Sequence, residues 1–86
     1  MEVLEIKESI SVANVQSTFD QVVSSNTKVI ASTGQIELDL AALQMLIFIN
    51  QNHNVKVEFK VKEDSAALLK NAGFANLFND HQLTLN

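Results

Sequence analysis

The sequence contains no cysteine, no arginine and no proline, and only two glycines among its 86 residues. Without cysteine the chain can form neither a disulfide bond nor a thiolate metal site, which fits a reducing compartment such as the cytoplasm. Without arginine it lacks the side chain that grips phosphate groups and guanine edges through paired hydrogen bonds. Because the net charge is also −4 at pH 7, we expect no nucleic-acid binding and a protein as partner.

The sequence also lacks an apolar stretch long enough to cross a membrane. The longest mainly apolar segment, Leu40–Ile49, has about half of the roughly 20 residues that a membrane-spanning helix needs. Residues 1–5 lack the basic and apolar regions of a signal peptide. The apolar fraction of 47% is that of a folded chain. We therefore expect one domain over residues 1–86, in the cytoplasm and without membrane insertion.

Four segments show the patterns of β-strands: 3–9, 28–32, 55–61 and 81–85. The first predicts an edge strand and the second a central strand. The last predicts a terminal strand, which would allow a homodimer if it were unpaired. Thr33-Gly34-Gln35 predicts a turn, because glycine adopts positive φ without steric cost.

Three segments between these strands have apolar residues at helical spacing: 14–25, 39–51 and 65–72. Asp39 is the expected N-cap of the second helix, and Gly73 is the expected end of the third. The second helix is apolar nearly all round, which predicts that it is buried between two layers. The order of elements predicts an α/β fold with a mixed sheet of four to five strands covered by helices.

No set of residues forms a recognisable catalytic or metal-binding motif. His53 and His81 are far apart in sequence, and a metal site needs at least three convergent ligands. The sequence has neither a nucleophile–base pair at a known spacing nor a glycine-rich phosphate loop. We therefore expect no enzymatic activity, no catalytic residue, no metal site and no cofactor.

The segment Asp39-Leu40-Ala41-Ala42-Leu43 carries the most informative pattern, since it follows a strand and opens a helix. A second pattern lies in 68–78, with Leu68-Leu69, then Gly73-Phe74, then Phe78. Together these segments resemble the STAS domain, the fold of bacterial anti-sigma factor antagonists, and the resemblance covers almost the whole chain. Gly34, Leu38, Asp39 and Leu43 fall where this family has its Gly, Ile, Asp and Leu.

The resemblance implies a small STAS-like α/β domain that acts as a switch. In that family the aspartate is followed by Ser, Ser/Thr and Gly, and the second hydroxyl accepts phosphate from a partner kinase. Leu40, Ala41 and Ala42 stand at these positions here, so Ala41 cannot be phosphorylated. Two interpretations stay open: the chain is a permanently unmodified binder, or its junction has become a core contact.

The function that the resemblance implies is a non-enzymatic protein–protein interaction module in bacterial regulation. Its partner would be an anti-sigma kinase-like or chemosensory protein. One alternative is a cytoplasmic accessory subunit of a lipid or anion transporter. Another is a phosphoryl-accepting relay component that uses Ser32 or Thr33, although hydroxyls at the end of a strand more often bond to the backbone.

We expect the partner surface to comprise Thr33, Gly34, Gln35, Asp39, Leu40, Ala41, Ala42 and Leu43. Within it, Leu40, Ala41 and Ala42 would form a small apolar contact surface where relatives present hydroxyls. A phosphate-proximal role for Asp39 is the alternative to capping, but its carboxylate would repel an anion. The stretch Met45–Phe48 is expected to be core rather than a partner-binding groove.

Overall fold

Five strands form one mixed sheet in the computed structural model, which describes residues 2–86. The strands are β1 (Val3–Glu5), β2 (Val29–Ile36), β3 (Lys56–Val61), β4 (Phe78–Asn79) and β5 (Gln82–Leu85), in the spatial order β1-β2-β3-β5-β4. The first three are parallel, whereas β5 is antiparallel to β3 and β4 is antiparallel to β5. The predicted α/β fold is confirmed. Met1, with which the predicted domain begins, lies outside the described residues.

Helices connect the parallel strands, because a parallel pair needs a long crossover between its members. They are α1 (Val15–Ser24), between β1 and β2, and α2 (Leu40–His53), between β2 and β3; the third helix, α3 (Glu63–Leu69), follows β3 and leads to the antiparallel strands. A π-helical turn (Lys70–Phe74) and a 3₁₀ turn (Ala75–Leu77) continue from α3. The regular helical conformation is broken at Gly73, whose φ of 107° only glycine adopts without strain, so the predicted helix end at Gly73 is confirmed. None of the helices in residues 2–86 is both long and apolar enough to cross a membrane.

The helices cover one face of the sheet and leave the other face open. Along β3, Val57, Phe59 and Val61 are fully buried, while the residues between them are exposed. This alternation follows from the two-residue period of a strand that has solvent on one side. The buried side chains of the sheet form a single core with those of the helices, which include Val22, Leu43, Leu46, Ile49, Ala66 and Leu69.

The prediction that α2 is buried between two layers is wrong. Leu43, Leu46 and Ile49 face the sheet and are fully buried, but Leu40 is 42% exposed and Phe48 is 49% exposed. Because all the helices pack on the same face of the sheet, no second layer lies outside α2. Its apolar composition therefore leaves apolar side chains at the surface.

The predicted turn at Thr33-Gly34-Gln35 is also wrong, since these residues lie within β2 and the φ of Gly34 is not positive. They form an irregularity in the pairing with β3. Ala31 pairs with Glu58 and Gln35 pairs with Lys60, so four steps along β2 match two steps along β3. The extra residues bulge out of the ladder, which is why three successive positions are exposed.

The terminal strand predicted over 81–85 is β5, and it is paired, so the condition under which it would allow a homodimer is not met. β5 lies between β3 and β4, and β4 pairs with Gln82 and Leu83, so only Thr84 and Leu85 lack a partner on that side. The true edges are β1, which has three residues, and β4, which has two. Edges this short present few free backbone groups, so association by strand addition is disfavoured.

Candidate functional site

Asp39 joins two parts of the chain at the start of α2. Its Oδ1 accepts a hydrogen bond from the backbone N–H of Ala42 at 2.9 Å, which confirms the predicted N-cap. Its Oδ2 accepts a hydrogen bond from the backbone N–H of Val12 at 2.8 Å. Both carboxylate oxygens therefore bind backbone donors, and they hold the loop before α1 against the first turn of α2.

Further hydrogen bonds hold the segment before Asp39 in place. The backbone N–H of Ile10 donates to the carbonyl oxygen of Glu37 at 3.0 Å. The hydroxyl of Ser9 accepts from the N–H of Glu37 at 2.8 Å, and the hydroxyl of Ser65 accepts from the N–H of Leu38 at 3.3 Å. The start of α2 is thus fixed from both sides, which suits a rigid contact surface.

Only part of the segment after Asp39 is available to a partner. Leu40 is exposed and Ala41 is partly buried, but Ala42 and Leu43 are both fully buried. Successive residues of an α-helix are rotated by about 100° around the helix axis. Leu40 and Ala41 therefore lie on the side turned away from the sheet, whereas Ala42 and Leu43 face the sheet. Ala42 and Leu43, which the sequence places in the partner surface, therefore have no side chain exposed at the surface.

Thr33, Gly34 and Gln35 lie at a different place. They line a cavity of about 210 Å³ together with residues 5–7, and no residue of 39–43 lines it. The hydroxyl of Thr33 donates to the carboxylate of Glu5 at 2.6 Å. The eight residues predicted as one partner surface are thus divided between the β2 bulge and the start of α2.

Ser32 lies within β2 and bonds to the backbone of the neighbouring strand β3. Its side chain accepts from the N–H of Lys60 at 2.9 Å and donates to the Lys60 carbonyl oxygen at 3.5 Å. Ser32 is only 6% exposed. The hydroxyl bridges β2 and β3 at the bulge, so it is not free to accept a phosphoryl group while the sheet is intact.

A groove lies between α1 and α2, where the sequence predicts core rather than a partner-binding groove. It has a volume of about 300 Å³ and is lined by Val15, Gln16, Phe19, Ala41, Met45 and Phe48. At one end the rings of Phe19, Phe48 and His53 contact one another, with centroids 5.9–6.0 Å apart. The expectation that Met45–Phe48 is core is therefore wrong for Phe48. The sequence does contain a signal for this position, because Phe48 lies closer to the side of the helix that carries Leu40 than to the side that carries Leu43.

The two helices that form the groove carry almost no charge. The 10 residues of α1 include Asp20 as their single charged side chain, and the 14 residues of α2 include no Asp, Glu, Lys or Arg. All six lysines lie outside these helices. Because the cores of protein interfaces are depleted in charged residues, an uncharged helical face is typical of a protein contact surface.

The described part of the chain, residues 2–86, contains no group of three or more His, Cys, Asp or Glu side chains that could hold a metal ion. Comparisons with family models, with curated proteins and with solved structures found no match.

Proposed function

We propose that this chain is a STAS-like, non-enzymatic interaction module in bacterial regulation. It binds a regulatory protein of the cytoplasm through the start of α2. The parallel β–α–β–α–β order and the capping aspartate at the junction support the resemblance. So does Gly73, which ends the third helical segment.

The single observation that carries this proposal is the exposed apolar surface at the start of α2. Leu40 is 42% exposed and Ala41 is partly exposed, directly after the aspartate that fixes the helix to the neighbouring loop. In the family that the chain resembles, hydroxyls stand at these two positions. An apolar surface on a rigid support favours docking onto an apolar patch of a protein, because little order is lost on binding.

Replacing Leu40 by lysine is expected to abolish capture of the partner by the immobilised protein from a lysate of the source cell. The lysine would place a charge in the centre of an apolar contact, where it must lose its water without gaining a counter-charge. Captured proteins would be identified by mass spectrometry, with and without ATP. The matched control is Leu68→Lys, because Leu68 is a leucine on α3 that is 61% exposed.

A protein that is retained by wild type and Leu68→Lys but lost by Leu40→Lys would support the proposed surface. If that protein is kinase-like or chemosensory, the regulatory function is supported, whereas a transporter ATPase would favour the accessory-subunit alternative. Equal capture by all three proteins would show that the start of α2 is not the binding surface.

Incubation of the chain with ATP and a lysate of the source cell is expected to add no phosphate. Ala41 has no hydroxyl, and Ser32 is buried with its hydroxyl bonded to the backbone of Lys60. Of the two proposed substitute acceptors only Thr33 is exposed, and a phosphate there would lie beside the carboxylate of Glu5. Intact-mass measurement checks this, and Thr33→Val is the control variant. Added phosphate that disappears in Thr33→Val would favour the relay alternative.

A further inference from the structure

The end of α1 has the hydrogen bonds of a Schellman motif, in which the chain turns back after a left-handed residue. Asn26 is that residue, with a φ of 53°. The backbone N–H of Asn26 donates to the carbonyl oxygen of Val23, and the N–H of Thr27 donates to that of Val22, both at 3.3 Å. In this motif the residue after the left-handed one, here Thr27, commonly makes an apolar contact with the last turn of the helix. The cap itself therefore does not require a hydroxyl at position 27.

The end of α2 provides an internal comparison, because it is built in a similar way. Asn54 is left-handed with a φ of 56°, and the N–H of the next residue, Val55, donates to the carbonyl oxygen of Ile49 at 3.3 Å. Val55 is 2% exposed and Thr27 is 4% exposed. Two buried positions of the same kind thus carry an apolar side chain in one helix end and a hydroxyl in the other. Since Val55 occupies its position without a hydroxyl, the hydroxyl of Thr27 needs a separate explanation.

The hydroxyl of Thr27 is a buried polar group with no hydrogen-bond partner among residues 2–86. Buried polar groups are nearly always paired, because an unpaired one has lost its hydration without compensation. A valine has almost the shape of threonine and would avoid this cost. A partner from outside the chain also removes the cost, and water is the smallest such partner.

A cavity of about 50 Å³ lies beside Thr27, between the ends of α1 and α2. It is lined by Val22, Val23, Asn26, Thr27, His53 and Val55. One buried water molecule needs about 10–15 Å³ of such space and two to four polar partners. The hydroxyl of Thr27 can supply one partner, and the side chains of Asn26 and His53 carry further donors and acceptors at the same wall.

We propose that this cavity is a binding site for a water molecule, which forms a hydrogen bond with the Thr27 hydroxyl and joins the end of α1 to the end of α2. The site adjoins the aromatic end of the groove, because the His53 ring also contacts the rings of Phe19 and Phe48. The water is thus one of the contacts that hold the two helices together there. This inference does not depend on the proposed function.

Replacing Thr27 by valine gives opposite results for a water-bound hydroxyl and for an unpaired one. With water bound, Thr27→Val removes a hydrogen bond and leaves the water short of a partner, so the equilibrium constant for unfolding should rise roughly fivefold. With the hydroxyl unpaired, valine removes an unfavourable burial, so the constant should fall. Urea unfolding followed by circular dichroism measures the change. The control is Thr84→Val, which makes the same substitution at an exposed position of β5 and should change the constant by less than about twofold.

A high-resolution crystal structure shows the water directly. Wild type and Thr27→Ser, which keeps the hydroxyl, should both have ordered density in the cavity about 2.7–2.8 Å from the hydroxyl oxygen of residue 27. In Thr27→Val this density should be absent. The proposal is overturned if the wild-type cavity contains no ordered water bonded to Thr27, or if Thr27→Val is at least as stable as wild type.

Discussion

Replacing Leu43 by alanine is expected to lower the free energy of unfolding by about 2–5 kcal/mol. Leu43 is fully buried and belongs to the core between α2 and the sheet. The shorter side chain loses buried apolar area and leaves a cavity that the surrounding structure fills only in part. Because a small domain has about 5–15 kcal/mol of total stability, this change could leave much of the protein unfolded.

Urea unfolding followed by circular dichroism measures the effect, through a lower midpoint at an unchanged slope. The control is Leu40→Ala, which removes the same atoms from an exposed position on the same helix and should change stability by less than about 0.5 kcal/mol. A cost below about 1 kcal/mol for Leu43→Ala would mean that Leu43 is not packed in the core. A loss of partner binding in Leu43 variants should accordingly be interpreted as a loss of folded protein.

Replacing Asp39 by alanine is expected to lower the free energy of unfolding by about 2–3 kcal/mol. The substitution removes the helix cap, which contributes about 1 kcal/mol, together with a second hydrogen bond to a charged acceptor. The freed backbone N–H groups belong to Ala42, which is fully buried, and Val12, which is exposed and can bond to water. Most of the lost stability should therefore come from the missing hydrogen bond between Asp39 and the buried N–H of Ala42.

Two variants separate the parts of this effect when unfolding is followed in urea. Asp39→Asn keeps one acceptor oxygen for the cap but loses the negative charge, so it should cost less than Asp39→Ala. Asp64→Ala removes an exposed aspartate from the first turn of α3, where it makes only a favourable helix-dipole interaction, and should cost under about 1 kcal/mol. If Asp39→Ala costs no more than Asp64→Ala, the hydrogen bonds of Asp39 contribute nothing measurable to stability.

Features set by local chemistry could be predicted from the sequence. The strict alternation of residues 55–61 predicted β3, the capping preference of aspartate predicted the role of Asp39, and the position of Gly73 predicted the end of a helix. Each depends on a few neighbouring residues and on a backbone conformation that those residues favour. Tertiary contacts did not override any of them.

Features set by the arrangement of layers could not be predicted in this way. The sequence of α2 does not reveal that its outer side lacks a covering layer, so Phe48 was assigned to the core although it is 49% exposed. Gly34 favours a turn when only its neighbours in sequence are considered. In the structure, β2 stays paired around its bulge through hydrogen bonds between Ser32 and Lys60, and a local pattern does not reveal a contact between residues 28 positions apart. The sequence predicts a partner surface of consecutive residues after Asp39, whereas the helix turns Ala42 and Leu43 inward.

The uncharged character of α2 has a further consequence when the chain is unfolded. From Leu40 to Val55 the sequence contains no Asp, Glu, Lys or Arg, and Asp39 and Lys56 flank this stretch. Charged residues within an apolar segment normally hinder intermolecular β-pairing, and here they stand only at its ends. Nascent or thermally unfolded chains should therefore aggregate through this segment and be bound there by chaperones. The first sign that a variant unfolds the domain would then be that the expressed protein is insoluble.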